Sequence, residues 1–242
     1  MNSESLNKEE ISKDEIHFYI IELDNLKPEL PEIKSVLSKS ELETANKFKF
    51  NNDRERFIIT RYILRKILSN YLYIPTKEIQ VITNQYGKPK LDSELNNNIQ
   101  FNISHSGNLV IYALNLFNEI GVDIEKIDNT INHLEIADNY FSTDEIEFLN
   151  ISVSQNEMAE KFFRIWTRKE SLLKAIGIGL LPDLKKISVI ENRFYDDKLS
   201  PYLKASINNI WNIETLIIDN FYKASLAYSG DFKKIIEKNL NY

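Results

Sequence analysis

The sequence predicts an α+β protein whose two halves have a similar rhythm of helices and strands. Hydrophobic patterns along the 242 residues follow in the order strand, helices and strands, then helices and strands again. They do not alternate as they would in an α/β protein. The rhythm breaks near residues 119–121. We therefore expect a disordered lead-in over residues 1–15, a first half over residues 16–120 and a second half over residues 121–242.

The first half contains apolar runs with strand spacing on either side of two segments with helical spacing. Pro75 follows the second helical segment and ends it, since the residue before a proline avoids the helical conformation. Glycine and proline at 86–89 predict a turn. The predicted strands are 17–23, 78–83, 99–104 and 109–116, and the predicted helices are 38–50 and 52–71. We expect residues 105–108 to form a loop between the last two strands.

The second half is predicted to begin with a strand over residues 121–127. Ser142 and Glu145 form a capping-box pattern, in which each side chain satisfies a free amide at the start of a helix. Apolar residues then recur at helical spacing over residues 162–180, which predicts a long amphipathic helix. The predicted closing strands are 187–190, 213–218 and 224–228.

The composition is that of an ordinary globular protein and argues against several classes of function. Hydrophobic residues make up 43% of the chain and charged residues 27%. The chain has no cysteine, so it has no disulfide, thiol nucleophile or thiolate metal site. The formal net charge of -6 argues against a general nucleic-acid binder. A polar start and the lack of a long apolar run predict neither a signal peptide nor a membrane span, and we expect a cytoplasmic protein.

Three acidic residues and two lysines form the strongest candidate site. Asp123 and Glu125 are two residues apart on a predicted strand, so both carboxylates point to one face. On the long helix, Glu170 and Lys174 are four residues apart and can share a face, while Lys169 lies where the apolar stripe should continue. Carboxylates bind Mg²⁺, which in turn holds phosphates, and a lysine can direct its charge at a phosphate. The alternative is a half-exposed strand with solvated acids, a surface ion pair and a lysine that reaches out to solvent.

A second candidate site combines Ser104 and His105 with basic residues of the second predicted helix. Hydroxyls, an imidazole and backbone amides can together hold an anion. Arg54, Arg61 and Arg65 fall near one side of the helix, which would suit a phosphate-rich ligand. The alternatives are a turn that ends a strand, a solvated basic helix face, or a serine nucleophile beside a histidine, although no G-x-S-x-G elbow is present.

Taken together, these motifs resemble the 4′-phosphopantetheinyl transferases of the surfactin-synthetase-activating type. Five short segments within residues 38–190 match motifs of that family in the family's order. They are the arginine-bearing helix at 56–65, Gly87-Lys88-Pro89, the FNISHS segment at 101–106, the GVDIE segment at 121–125 and the WTRKES segment at 166–171. The Asn-Tyr-Phe sequence at 139–141 departs from the double phenylalanine of the family.

The resemblance implies a cleft between two similar α+β halves in which coenzyme A binds as co-substrate. It also implies the transfer of 4′-phosphopantetheine to a serine of an apo acyl or peptidyl carrier protein, with release of adenosine 3′,5′-bisphosphate. By motif position, Asp123, Glu125 and Glu170 would hold Mg²⁺, and Glu170 would also help to deprotonate the serine. Lys169 and Lys174 would face the phosphates.

The same resemblance implies which residues take part in catalysis and binding. The catalytic residues would be Asp123, Glu170 and Lys174. The residues that bind coenzyme A would be Arg56, Arg61, Lys88, Ser104, His105, Lys169 and Lys174, of which Lys88, Ser104 and His105 would hold the nucleotide end.

Two other functions remain open on the sequence. One is a different Mg²⁺-dependent phosphoryl- or nucleotidyl-transfer enzyme or a phosphodiesterase. The other is a coenzyme A or carrier-protein binding module that has lost its chemistry, although the full set of acids and lysines argues against it. Because one chain would supply both walls of the cleft, we expect a monomer, and we expect no nucleic-acid or membrane partner.

Overall fold

The computed structural model describes residues 8–26, 30–95, 98–177, 184–195 and 210–240. Over these residues it confirms the predicted α+β fold in two halves. The strands are β1 (Glu15–Glu22), β2 (Val81–Thr83), β3 (Pro89–Leu91), β4 (Ile99–Ser106), β5 (Leu109–Leu116), β6 (Ile120–Lys126), β7 (Arg193–Tyr195), β8 (Ile210–Leu216), β9 (Tyr222–Ser229) and β10 (Lys234–Glu237). The helices are α1 (Leu30–Val36), α2 (Lys39–Ala45), α3 (Asn51–Leu72), α4 (His133–Tyr140), α5 (Thr143–Asn150) and α6 (Gln155–Ile176).

Two four-stranded sheets form the centre of the molecule. The first has the strand order β10-β1-β5-β4 and the second has the order β6-β9-β8-β7, while β2 and β3 form a separate hairpin. Neighbouring strands are antiparallel except for β1 and β10, which are parallel. The last strand therefore lies in the sheet of the first half and does not follow the predicted division at residues 120 and 121. The assignment of residues 16–120 and 121–242 to two separate halves remains a prediction.

The helices α3 and α6 cover one face of each sheet. Leu64 of α3 shares a buried cluster with Tyr112 of β5, and Leu172 of α6 shares another with Ile213 of β8. A third cluster joins residues of β1 and β5 to residues of β6 and β9. The layers thus run helix, sheet, sheet, helix. Full burial of each such leucine contributes roughly 1.5–3 kcal/mol to stability.

The long helix α6 starts earlier than the sequence predicts. Its first turn is capped by the Ser154 side chain, which accepts a hydrogen bond from the amide of Glu157. It ends at Gly177, whose φ of 77° lies in the left-handed region that glycine adopts without strain. Residues 178–180 of the predicted helix lie outside the described residues.

Several predicted boundaries are wrong. The strand predicted over 78–83 begins only at Val81, after a 3₁₀ turn over Thr76–Glu78, and the helix predicted over 38–50 ends at Ala45. The expected loop at 105–108 is only a short turn, because β4 continues through Ser106. Residues 187–189 are irregular instead of extended in a sheet, and the Val189 amide donates to a carboxylate oxygen of Glu145. The capping box predicted at Ser142 and Glu145 is present at the start of α5.

Part of the lead-in expected over residues 1–15 contacts the fold. Its first seven residues lie outside the described residues. From Lys8 onward the chain contacts the fold, since the amide of Glu9 donates to the carbonyl of Asn70 and its carboxylate pairs with Lys238. Within the described part of the chain, no helix is both long and apolar enough to cross a membrane.

Candidate active site

Strand β6 and helix α6 lie in direct backbone contact at Gly121. A Cβ atom at this position would overlap the carbonyl oxygen of Ser171 and the backbone nitrogen of Ala175. The approach therefore requires glycine. It brings the strand that carries Asp123 against the helix that carries Glu170.

The three predicted acids and Lys174 line one cavity of about 370 Å³. We call this cavity the acidic cleft. Its wall is formed by residues of β4, β6 and α6, namely Ile103, Ser104, His105, Asp123, Glu125, Trp166, Glu170 and Lys174. The structure thus brings together two acids of a strand with one acid and one lysine of a helix.

The ammonium group of Lys174 is held in the acidic cleft by Asp123. Its Nζ lies 2.6 Å from Asp123 Oδ1 and 2.8 Å from the hydroxyl of Ser104. Asp123 is 3% exposed, and its other oxygen, Oδ2, is buried with no hydrogen-bond partner in the described part of the chain. Burial raises the pKa of Asp123, while Lys174 opposes that shift. A buried oxygen without a partner costs free energy that a bound cation can offset.

The carboxyl groups of Glu125 and Glu170 are partly exposed to the acidic cleft. Glu125 Oε2 accepts a hydrogen bond of 2.8 Å from the Ser106 hydroxyl. Burial and the negative charge of Asp123 raise the pKa of both glutamates, with Ser106 opposing the shift at Glu125 and Lys174 opposing it at both. Asp123 therefore raises the pKa of two neighbouring carboxyl groups, and a cluster of acids of this kind favours a bound cation.

The acidic cleft has the ligand chemistry of a Mg²⁺ site. Among the described residues, no group of three or more His, Asp or Glu side chains is already placed to hold a metal ion. Asp123 is bound to Lys174, and Glu125 is bound to Ser106. Three carboxylates and the unpartnered Asp123 Oδ2 nevertheless fit a hard cation that prefers oxygen ligands and keeps several waters. The residues present therefore fit the ion, and some side chains would turn to hold it.

A second cavity of about 370 Å³ shares Ile103 and His105 with the acidic cleft. We call it the basic cavity, because Arg56 and Arg61 of α3 line it. Partial desolvation and then the cations Lys174, Arg56 and Arg61 lower the pKa of His105, while Asp123 opposes the shift. Guanidinium groups bind phosphate oxygens through paired hydrogen bonds, which suits the basic cavity to a phosphate-bearing ligand.

The charge of Lys88 lies at the end of α6. Its Nζ donates to the carbonyl of Ala175 at 2.8 Å and lies 3.2 Å from a carboxylate oxygen of Glu119. The last carbonyls of a helix carry partial negative charge and favour a cation there. The side chain also lines a cavity of about 240 Å³ together with Lys174. Contact between Lys88 and a nucleotide remains a prediction.

The expectation that Lys169 faces a phosphate is wrong. Lys169 is fully buried and does not line the acidic cleft. Its Nζ lies 2.8 Å from Glu145 Oε2 and donates to the carbonyls of Leu184 and Ile187. Burial lowers the pKa of Lys169, and Glu145 opposes the shift. The side chain ties α6 to α5 and to the segment at 184–187.

The expectation that Arg65 joins Arg54 and Arg61 on a side of the helix that binds a phosphate-rich ligand is also wrong. Arg65 is 1% exposed, and its Nη2 lies 2.7 Å from Glu41 Oε2. Its Nη1 donates to the carbonyls of Thr76 and Ile79. This guanidinium group therefore holds α3 to α2 and to the segment that follows α3.

Sequence reasoning missed two residues of β4 that contact β6, Asn102 and Ser106. Their side chains alternate with residues of the opposite face, as does that of Ser104. Polar residues at every second position of β4, from Gln100 to Ser106, were the available signal. They indicated a polar contact along one face of β4, and only the fold shows that the partner is β6.

Comparison with known protein families gives matches over both halves. Residues 25–116 match the family described as 4′-phosphopantetheinyl transferase, N-terminal. Residues 119–224 match the family described as the 4′-phosphopantetheinyl transferase superfamily.

Individual relatives cover most of the chain. The chain is 34% identical over 220 residues to the 4′-phosphopantetheinyl transferase HetI of Nostoc sp., which covers 90% of this chain and 89% of that protein. It is 32% identical over 203 residues to the 4′-phosphopantetheinyl transferase Sfp of Bacillus subtilis, over 84% of this chain and 87% of that protein. It is 28% identical over 200 residues to the human L-aminoadipate-semialdehyde dehydrogenase-phosphopantetheinyl transferase, over 79% of this chain and 62% of that protein. Matches in both halves and the identity to HetI show that this chain belongs to the 4′-phosphopantetheinyl transferase superfamily.

Proposed function

We propose that this chain transfers 4′-phosphopantetheine from coenzyme A to a serine hydroxyl of an apo acyl or peptidyl carrier protein. The observation that carries the proposal is the acidic cleft, which Asp123, Glu125, Glu170 and Lys174 line together. Membership of a superfamily named for this transfer supports the same reaction. The second product is adenosine 3′,5′-bisphosphate.

Coenzyme A spans the basic cavity and the acidic cleft, because the two cavities share Ile103 and His105. Arg56, Arg61 and His105 hold the nucleotide end with its 3′-phosphate. The pyrophosphate then lies in the acidic cleft near Lys174. Carboxylates alone would repel a pyrophosphate, so this placement requires a cation in addition to Lys174.

The cation that fits is Mg²⁺, with Asp123, Glu125 and Glu170 as its protein ligands. When bound, it neutralises the pyrophosphate and stabilises the charge that develops on the leaving phosphate. The three ligands come from β6 and α6, which the contact at Gly121 holds together. The second half therefore supplies the metal site, and α3 of the first half supplies the arginines.

Two residues of the acidic cleft have separate tasks in the reaction, since one accepts a proton and the other stabilises negative charge. Glu170 accepts the proton of the carrier serine, directly or through a water. The serine oxygen forms a bond to the phosphorus that carries the pantetheine arm, and the bond from this phosphorus to the bridging oxygen breaks. The electron pair leaves with adenosine 3′,5′-bisphosphate, whose charge Lys174 stabilises. In the metal-free site, burial and the charge of Asp123 raise the pKa of Glu170, and a carboxylate within reach of the serine hydroxyl can act as its general base.

We assign the chain to the surfactin-synthetase-activating type, in which one polypeptide forms both walls of the cleft. The basic cavity includes residues of α3 and β4, and the acidic cleft includes residues of β6 and α6. A single copy of the chain then supplies every residue of the proposed active site, so we expect a monomer. Light scattering on the active protein measures the mass directly, and activity confined to a dimer would contradict this assignment.

The transfer itself is tested by intact mass spectrometry. The protein is incubated with coenzyme A, Mg²⁺ and a purified apo acyl or peptidyl carrier protein. The expected result is a carrier that gains the mass of one phosphopantetheine group, with no gain after chelation of Mg²⁺ or with the Asp123→Ala variant. Cleavage of coenzyme A without a modified carrier would identify a different phosphoryl-transfer enzyme or a phosphodiesterase. Binding of coenzyme A without any turnover would identify a binding module.

A further inference from the structure

Strands β4 and β6 are joined by hydrogen bonds from backbone amides of β6 to side-chain oxygens of β4. In an ordinary pair of strands, backbone carbonyls would accept these hydrogen bonds. The amide of Val122 donates to Asn102 Oδ1 at 3.0 Å, that of Ile124 to Ser104 Oγ at 3.4 Å, and that of Lys126 to Ser106 Oγ at 3.0 Å. From one bond to the next, the residue number increases by two in β4 and also by two in β6, so the two strands run side by side in the same direction. These three bonds form a ladder between the edge of the first sheet and the edge of the second.

Two rungs of the ladder also hold an acid of the acidic cleft. The Ser104 hydroxyl donates to Asp123 Oδ1 at 2.9 Å, and the Ser106 hydroxyl donates to Glu125 Oε2 at 2.8 Å. A hydroxyl has one proton and two lone pairs. Because the β6 amide takes a lone pair, the serine oxygen is fixed in place and its proton is free to point at the carboxylate.

Asn102 shows what the ladder requires when no acid is involved. Its side-chain oxygen accepts from Val122, and the bond joins the strands without a contact to a carboxylate. An acceptor alone is therefore sufficient to join β4 to β6. Ser106 has in addition a donor that binds Glu125, so its hydroxyl does more than join the strands.

We propose that Ser106 is a positioning residue that aims the Glu125 carboxylate into the acidic cleft. The inference rests on the proposed function, in which Glu125 is a metal ligand. A free glutamate side chain samples several rotamers, and the hydrogen bond from Ser106 removes those that point away from the cleft. One carboxylate oxygen is bound by the serine, which leaves the other to face a cation. Partners that orient metal ligands in this way change metal affinity typically by ~10–100-fold.

The test compares Ser106→Ala with Ser106→Thr and with Ser225→Ala. Ser225 is the matched control, since it is a buried serine of the neighbouring strand β9 whose hydroxyl bonds that of Thr167 and no carboxylate. Mn²⁺ alone is titrated into each protein, and the free ion is counted by electron paramagnetic resonance. The same preparations give the Mg²⁺ dependence of transfer, the KM for coenzyme A and the urea midpoint.

We expect Ser106→Ala to bind Mn²⁺ about 10-fold more weakly or worse and to need correspondingly more Mg²⁺ for transfer. Its KM for coenzyme A should stay unchanged when Mg²⁺ is saturating. Ser106→Thr keeps the hydroxyl and should restore metal binding, while Ser225→Ala should bind Mn²⁺ like the wild type. If the alanine variant does not fold, Ser106→Cys replaces the hydroxyl by a weak donor of similar shape and should lose metal affinity as well.

The proposal is overturned if Ser106→Ala binds Mn²⁺ as tightly as the wild type, or if Ser225→Ala loses as much affinity. These outcomes are distinct from failure of the proposed function. Loss of Mn²⁺ affinity in a protein that never modifies a carrier would support the positioning role and reject the transfer reaction. Normal transfer with unaltered metal binding in Ser106→Ala would reject only the positioning role.

Discussion

At the scale of single residues, the acidic cleft owes its chemistry to charge held in one place. Asp123 is buried and paired with Lys174, and Glu125 and Glu170 lie beside this pair. Each glutamate has a raised pKa because of burial and the charge of Asp123. Because Lys174 neutralises Asp123, the carboxylates of Glu125 and Glu170 leave a net negative charge in the cleft, which favours a divalent cation.

The first prediction concerns Glu170 as proton acceptor. Glu170→Gln keeps the shape of the side chain but removes the base, so we expect kcat to fall at least ~100-fold. Because a carboxylate with a raised pKa must lose its proton to act, activity of the wild type should fall with decreasing pH, and the variant should lack this acidic limb. Steady-state rates across pH, together with calorimetry of coenzyme A binding, measure both effects.

Glu160→Gln is the matched control for that experiment, since Glu160 lies on the same helix but pairs with Lys223 at the surface. It should leave kcat unchanged. A Glu170→Gln enzyme with wild-type kcat, or one whose activity returns fully with added Mg²⁺, would leave Glu170 only a metal-binding or structural role.

At the scale of single elements, neighbouring residues of α6 have opposite environments. Glu170 faces the acidic cleft, whereas Lys169 is directed into the protein and pairs with Glu145. The pair is fully buried on both sides. The attraction within such a pair must offset the cost of removing two charges from water, and loss of one partner leaves the other charge uncompensated.

We therefore predict that Lys169→Met destabilises the protein by about 3–5 kcal/mol while the folded enzyme keeps its KM for coenzyme A. Urea denaturation measures the first effect and steady-state kinetics the second. The double variant Glu145→Gln, Lys169→Met should lose less than the sum of the two single changes. Lys39→Met breaks only an exposed pair with Glu43 and should change stability little. A raised KM with unchanged stability would return Lys169 to the phosphate-binding role.

Strand β1 contains a buried histidine, His17. Its Nδ1 lies 2.7 Å from the hydroxyl of Tyr71, which in turn bonds the hydroxyl of Tyr19. Burial, and secondarily the charge of Lys238, lower the pKa of His17 below 6.5, although Glu15 opposes the shift. The folded protein therefore binds this proton less readily than the unfolded chain does.

The sign of the pH effect follows from that difference. Between the lowered pKa and about 6.5 the unfolded chain holds more protons, so stability increases with pH in this window and is lost as pH falls through it. We expect the urea midpoint of the wild type to decrease when the pH is lowered from about 7.5 to about 5.5. The midpoint of His17→Gln should decrease less over the same range. An identical decrease in both proteins would assign the effect to other groups.

The elements also show what sequence patterns can and cannot predict. The strand over Leu109–Leu116 was predicted along its whole length, because its apolar run is bounded by turn residues. Strand β10 was missed, since four residues are too short for a periodic signal and pair only with the distant β1. The spacing of the acids that line the cleft marked them as candidates, and the resemblance to a family implied their role as metal ligands. The burial of Lys169 was not, because it depends on Glu145, which was assigned only to a helix cap.

At the scale of the whole molecule, the proposed function assigns the binding of the nucleotide to one cavity and the chemistry to the other. The basic cavity takes its arginines from α3, and the acidic cleft takes its acids from β6 and α6. His105 lines both cavities. Changes in the first half should therefore act mainly on the binding of coenzyme A, and changes to the acids of the second half should act mainly on turnover.

We predict that His105→Ala raises the KM for coenzyme A and leaves kcat near the wild-type value, since binding that is equal in ground and transition states affects KM alone. Dephospho-coenzyme A, which lacks the 3′-phosphate, serves as the control substrate. The wild type should prefer coenzyme A, and the variant should lose part of this preference. Equal discrimination by both proteins would show that His105 does not contact the 3′-phosphate.

The position of β10 has a consequence for how this protein is made. Lys234 and Glu15 form an ion pair across β10 and β1, although they are 219 residues apart in the chain. A ribosome therefore releases β1 long before the strand that completes its sheet. During that interval the unpaired edge of β1 exposes amides and carbonyls that other nascent chains can bind. Until β10 has been synthesised and has paired with β1, this edge is therefore the place where we expect the incomplete sheet to associate with other chains.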